Sequence, residues 1–166
     1  MTPDASLHRT SPTAATRSAC WSDWAPVLIR IVIGIGFVMH GYAKWSRGPA
    51  GFGNVLHTLG VPFPVLLAWM TTLVELAGGA AILAGAWVRV VSIPLGIVLL
   101  TAFATVHVQY GFFSVKLVEV TSSGIKFGTV GYELVLLYLG GLGAIVLSGA
   151  GALSVDGWRA RARRRA

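Results

Sequence analysis

Residues 64–87 read PVLLAWMTTLVELAGGAAILAGAW, and Glu75 is the only charged side chain among them. A membrane-spanning helix needs about 20 mostly apolar residues. The stretch meets that length, and Pro62-Phe63-Pro64 breaks the chain at its start, with proline suited to a first helical turn. At about 1.5 Å per residue Glu75 lies roughly 16 Å from Pro64, which predicts a position near the bilayer midplane. A carboxylate there costs about 2.5–3.5 kcal/mol on insertion scales, so Glu75 needs a partner or a task. The face it shares carries Ala68, Thr71, Thr72, Gly78, Gly79 and Ala86, small residues that let another helix approach closely.

Three further stretches have the same character. The first runs from about Trp24 to Trp45. After Val88-Arg89 another runs from 90 to Tyr110, with Pro94 near its start, and the last covers about Phe127 to Gly149. The predicted fold is therefore all-α, four transmembrane helices in an antiparallel bundle. Phe112 to Lys126 is read as a loop turning at Ser122-Ser123-Gly124, with no strand, and Phe52 to Val61 as a second loop. Composition agrees. The 166 residues are 55% hydrophobic and 11% charged, with a mean hydropathy of +0.73, about half the charge of ordinary soluble domains.

The charges that remain are unevenly spread. Arg159, Arg161, Arg163, Arg164 and Arg165 close the chain, and a basic tail beside a membrane span is a topology and anionic-lipid signal, not a nucleic-acid site. Residues 1–23 are read as a flexible cytoplasmic tail, 24–157 as the membrane domain and 158–166 as the basic cytoplasmic tail. Four spans place Arg9, Arg17, Arg30, Arg89 and the five closing arginines on one side, and Lys44, Arg47, Lys116 and Lys126 on the other. Nine against four predicts a multi-pass protein of the bacterial inner membrane with both termini cytoplasmic. Trp24, Trp45, Trp69, Trp87 and Trp158 fall near predicted span ends, where indole favours the interface. Residues 1–23 lack the apolar core of a signal peptide. Cys20 is the single cysteine, which excludes an internal disulfide or a cysteine-built metal centre. No metal site is expected.

Each predicted span has a face of small residues bearing ionisable groups. In the first, Arg30, Gly34, Phe37, Gly41 and Lys44 fall within about 80° at 100° per residue, with His40 at the edge. The third aligns Gly96, Phe103 and His107; the fourth aligns Glu133, Gly140 and Ala144. Lipid rejects charge, so these faces are expected to turn inward. The depths predict a pocket open to the outer leaflet, lined by His40, Lys44, His107 and Glu133 and floored by Glu75, with Arg30 below. A purely structural use is the alternative, in which Glu75 pairs with Arg30 and Glu133 with Lys44. His57 reads as a solvated loop residue and His8 as part of the flexible tail.

The same residues resemble the DoxX family of small bacterial membrane proteins. The likeness rests on Arg30, Gly34, Phe37, His40-Gly41 and Lys44; on Glu75, Gly78-Gly79, Gly85 and Arg89; on His107 with Gly111-Phe112-Phe113; and on Tyr132-Glu133-Leu134. It closes with Gly149-Ala150-Gly151-Ala152-Leu153-Ser154-Val155-Asp156, and extends over about 27–157. The resemblance implies the four-span fold, and membrane subunits linked to quinone-dependent sulfur oxidation or anchoring thiol and oxidative-stress complexes.

Three functions follow. A membrane subunit of an oxidoreductase complex would bind a quinone through His40, His107 or Lys44 and relay protons through Glu75 or Glu133. Nothing is bound covalently, and with no GxGxxG fingerprint any flavin or metal redox centre belongs to a partner protein. Haem held by His40 and His107 is a weaker variant. Second, the bundle anchors partners or holds a lipid-like ligand without turnover, and Gly140, Ala144 and Ser148 serve helix contacts, including those of a homo-oligomer. Third and weakest is proton-coupled transport through Glu75, since no inverted repeat is evident.

Overall fold

The computed structural model describes residues 23–122 and 124–165. The elements run α1 (Ala25–Ser46), α2 (Pro49–Thr58), α3 (Pro64–Ala84), α4 (Val88–Ala102), β1 (Leu117–Thr121), β2 (Gly124–Phe127), α5 (Glu133–Ser148) and α6 (Val155–Arg163). Beyond Ala102 the helix of α4 continues as a wide π-turn, Phe103–His107, and a tight 3₁₀ turn, Val108–Tyr110. Contacts run from α1 to α3, α3 to α4, α4 to α5 and α5 back to α1.

The tightest of these interfaces is α1 on α3, and glycine makes it. A Cβ built on Gly34 would lie 2.9 Å from the Gly79 carbonyl oxygen, and one on Gly79 would lie 2.8 Å from the Val38 nitrogen. Only residues without side chains allow backbones this close. Around this crossing the core gathers Ile33, Phe37, Ile82, Leu95, Leu142 and Ile145. Outward faces are apolar: Leu28, Ile31, Val32 and Ile35 on α1, Leu66, Met70 and Leu73 on α3, and Val90, Ile93, Ile97 and Leu100 on α4 are all exposed. Arg30, Thr72, Glu75 and Ser92 are buried instead. Lipid is the solvent that suits apolar surface outside and polar groups inside.

Three helices are long and apolar enough to cross a bilayer: Ala25–Ser46, Pro64–Ala84 and Val88–Tyr110. The fourth expected span is shorter than the sequence implied. Helix α5 starts at Glu133, not near 127, and its 16 residues extend about 24 Å against a hydrocarbon core of about 30 Å. The preceding backbone is committed elsewhere. The N–H groups of Gly131, Tyr132 and Glu133 donate to the carbonyls of Phe113, Gly111 and Phe112 at 3.0–3.1 Å.

Both segments read as loops are structured. Residues 49–58 form α2, whose Gly53 lies against Val65 of α3. Strands Leu117–Thr121 and Gly124–Phe127 pair antiparallel as a hairpin, so the expectation of no strand is corrected. Val118 and Val120 flank Glu119, and Ile125 and Phe127 flank Lys126, an alternation fit for strands but too short to stand out beside long apolar runs. Pro94 is the seventh residue of α4, beyond the first turn where it was expected. At the chain's end the arginine-rich segment begins inside α6. The N-terminal tail, with His8 and Cys20, lies outside the described residues, as does Ser123 of the turn at 122–124.

Candidate functional site

Lys44 and Glu75 meet across the α1–α3 interface, the Lys44 ammonium donating to Glu75 Oε2 in direct contact. Gly41 is what lets them meet. Its Cβ, if present, would lie 2.9 Å from the Leu76 nitrogen and 3.2 Å from Glu75 Cβ. The ring of Phe52 on α2 stands 5.1 Å from the Lys44 ammonium, a cation–π distance. Side-chain exposure is 19% for Lys44 and 6% for Glu75, so the carboxylate is enclosed and the ammonium is the reachable partner. One turn before Glu75, buried Thr72 donates its hydroxyl to the Ala68 carbonyl at 2.7 Å.

These contacts correct the expected ion pairs. Glu75 takes Lys44, which leaves Glu133 without it, and Arg30 lies about 21 Å back along α1 at 1.5 Å per residue, too far to serve Glu75. Gly41 puts Glu75 about 7.5 Å from the end of α1, because the first turns of α3 extend past that end and are covered by α2.

His40, one turn before Lys44 on α1, is exposed, its ring 6.3 Å from that of Tyr138 on α5, which in turn packs edge-on to Phe37 at 5.5 Å. His107 and Glu133 are engaged elsewhere. His107 Nδ1 lies 3.0 Å from the Val130 carbonyl oxygen. Glu133 Oε2 accepts the Ser114 N–H at 3.1 Å, and Ser114 Oγ accepts the Leu134 N–H at 3.2 Å. This reciprocal cap satisfies donors at the start of α5 and ties the segment after α4 to it. Of the five residues expected to line a pocket, Lys44 and Glu75 bond each other at the α1–α3 interface, His40 stands by Tyr138 of α5, and His107 and Glu133 contact backbone.

Arg30 serves the opposite end of the bundle. Its Nη1 and Nη2 donate to the carbonyls of Ala150 and Leu153 at 2.6 and 3.2 Å. Asp156 accepts the N–H groups of Trp87 and Val88 at 2.8 and 3.1 Å, capping α4, and its own N–H donates to the Gly85 carbonyl at 3.0 Å. Gly85 has φ +65°, and a Cβ there would strike Arg30 and Ser154. The closing run 149–156 is thus a clamp joining α1, α4 and α5. Sequence reasoning quoted Asp156 without seeing its role, although it is the one carboxylate in the closing segment. Phe52 and Tyr138 were missed as neighbours of the site, while Thr72 stood already on the face of Glu75. Phe52 carried no signal, since α2 read as a loop.

Among the described residues no group of three or more His, Cys, Asp or Glu is placed to hold a metal. Long apolar helices, an apolar exterior and buried polar groups define an integral membrane protein. The chain matches the DoxX family over residues 25–108, half of its length, and it belongs to that family. The match takes in Arg30, His40, Lys44, Glu75 and His107 and stops short of Glu133 and the closing clamp. No curated protein and no solved structure matches the chain.

Proposed function

We propose that the Lys44–Glu75 pair is the head-group site of a quinone and that the protein is the membrane subunit of an oxidoreductase complex. The observation that supports this reading is a carboxylate enclosed in an apolar bundle and directly bonded to an ammonium, which is roofed by Phe52, with exposed His40 one turn before it on α1. A quinone arriving through lipid needs a donor for its carbonyl oxygen and a source of protons. Lys44 supplies the donor and passes on its proton, and Glu75, as the carboxylate beside it, holds the ammonium charged while both protons enter in turn from water. Two-electron reduction of a quinone consumes two electrons and two protons and yields a quinol. The electrons come from a redox centre on a partner protein, and water reprotonates the pair.

A short-chain quinone titrated into purified protein tests the reading. Binding in the micromolar range is expected, weakened about tenfold or more by Lys44→Met, because a hydrogen bond from a charged donor is worth about 1.5–3 kcal/mol. Absence of binding, or equal binding by the variant, overturns it.

A second reading is a membrane anchor that assembles partners without turnover, including a homo-oligomer. It is favoured by Gly140, which is exposed and has open space where a Cβ would stand. In both readings α5 is the fourth crossing, and the excess of arginine puts both termini on the cytoplasmic side of the bacterial inner membrane. Reporter fusions to each terminus test that orientation.

A further inference from the structure

The hairpin of β1 and β2 is amphipathic across its two faces. Directly paired residues of an antiparallel ladder share a face, and neighbours along a strand alternate. Leu117 pairs with Phe127 and Val120 with Ile125, and the register shifts between Leu117 and Glu119, where one extra residue of β1 restores Leu117 to the face of Val120, so these four apolar side chains lie together. Glu119 pairs with Lys126 on the other face, their side chains bridged at 2.8 Å. The apolar face is bare: Leu117 is 62% exposed, Val120 66%, Ile125 57% and Phe127 63%. A contiguous apolar face of this kind marks an interaction surface.

We infer that this face lies on the lipid bilayer, so that the hairpin rests at the membrane surface with the Glu119–Lys126 face toward water. Its attachment supports that occupant. The hairpin begins seven residues after Tyr110, the end of a helix long enough to span. Lys116 donates to the Tyr110 carbonyl, and the Gly128 N–H donates to the Lys116 carbonyl at 2.8 Å. The flanking backbone is bonded to the start of α5. The hairpin is therefore rooted where two helices of the bundle end. Exposed apolar residues also recur along the chain between the two, from Ile97 and Leu100 on α4 through Val108, Phe112, Phe113 and Val115 to the hairpin. The lipid-facing surface of α4 thus extends onto β1 and β2. This inference is independent of the quinone reading.

The test places spin labels on the full-length protein, with Cys20→Ser as background, in vesicles of phosphatidylethanolamine and phosphatidylglycerol. Single labels go at Val120→Cys, Ile125→Cys, Glu119→Cys and Lys126→Cys, all at exposed positions that disturb no packing. Dissolved oxygen concentrates in lipid, and a nickel chelate stays in water. Labels at 120 and 125 are expected to collide more with oxygen than with nickel, and labels at 119 and 126 the reverse. Equal access of nickel to all four sites would overturn the inference by placing the hairpin in water. Exclusion of both reagents from 120 and 125 would overturn it in favour of a protein cover, such as a second copy of this chain.

Discussion

Lys44 reaches Glu75 only because Gly41 stands between their helices without a side chain. Glu75 is enclosed, so it depends on Lys44 more than Lys44 depends on it. Removing one partner leaves a buried charge uncompensated, at a cost of about 3–5 kcal/mol, whereas replacing both with apolar groups is often neutral or stabilising. Lys44→Met, which strands the enclosed carboxylate, is expected to lower stability in detergent by about 3 kcal/mol, Glu75→Leu by less because the Lys44 ammonium is the more exposed partner, and the double variant by less than Lys44→Met. Equilibrium unfolding of the three proteins checks this non-additivity.

The Arg30–Asp156 end of the bundle is a structural clamp. Asp156→Ala removes the acceptor for two N–H groups at the start of α4 and is expected to cost about 1–2 kcal/mol. Quinone binding at the far end should be unchanged. Unfolding curves and the quinone titration, run on the same preparation, separate the two effects.

Two adjacent glycines of α5 differ sharply. A Cβ on Gly141 would sit 2.6 Å from Ile33 Cδ1, while one on Gly140 meets open space. Gly141→Leu is expected to destabilise by about 1–3 kcal/mol through overpacking, and Gly140→Leu to leave monomer stability unchanged. If α5 makes an interface between copies, Gly140→Leu shifts the oligomeric state seen by light scattering in mild detergent.

Glu133 was a candidate proton relay and is now a backbone acceptor. Glu133→Gln keeps an acceptor oxygen for the Ser114 N–H and is expected to preserve both stability and quinone affinity. Glu133→Ala should lose about 1 kcal/mol of stability with affinity still intact. A large loss of affinity in Glu133→Gln would return this residue to the site.

The sequence made the membrane class and three long helices legible because twenty apolar residues in a row have few other uses. Small faces carrying Gly34, Gly41 and Gly79 were legible as helix contacts by the same logic. Partner choice was not, because helical periodicity gives the face of Lys44 and Glu75 but not the overhang of α3 that sets their common level. Glu133 and His107 looked inward for the same reason. Their roles depend on the backbone between Gly111 and Ser114, whose folding onto the start of α5 leaves no periodic trace. The closing run at 149–156 was visible as a pattern, and only its hydrogen bonds to Arg30 and the start of α4 explain it.

The most direct measurement is the quinone content of protein purified from its membrane in mild detergent, by extraction and chromatography, beside the Lys44→Met/Glu75→Leu double variant. Binding at the pair predicts near-stoichiometric quinone in the unaltered protein and background content in the double variant, which keeps its fold. Equal quinone in both, or background in both, would contradict a quinone site at Lys44 and Glu75.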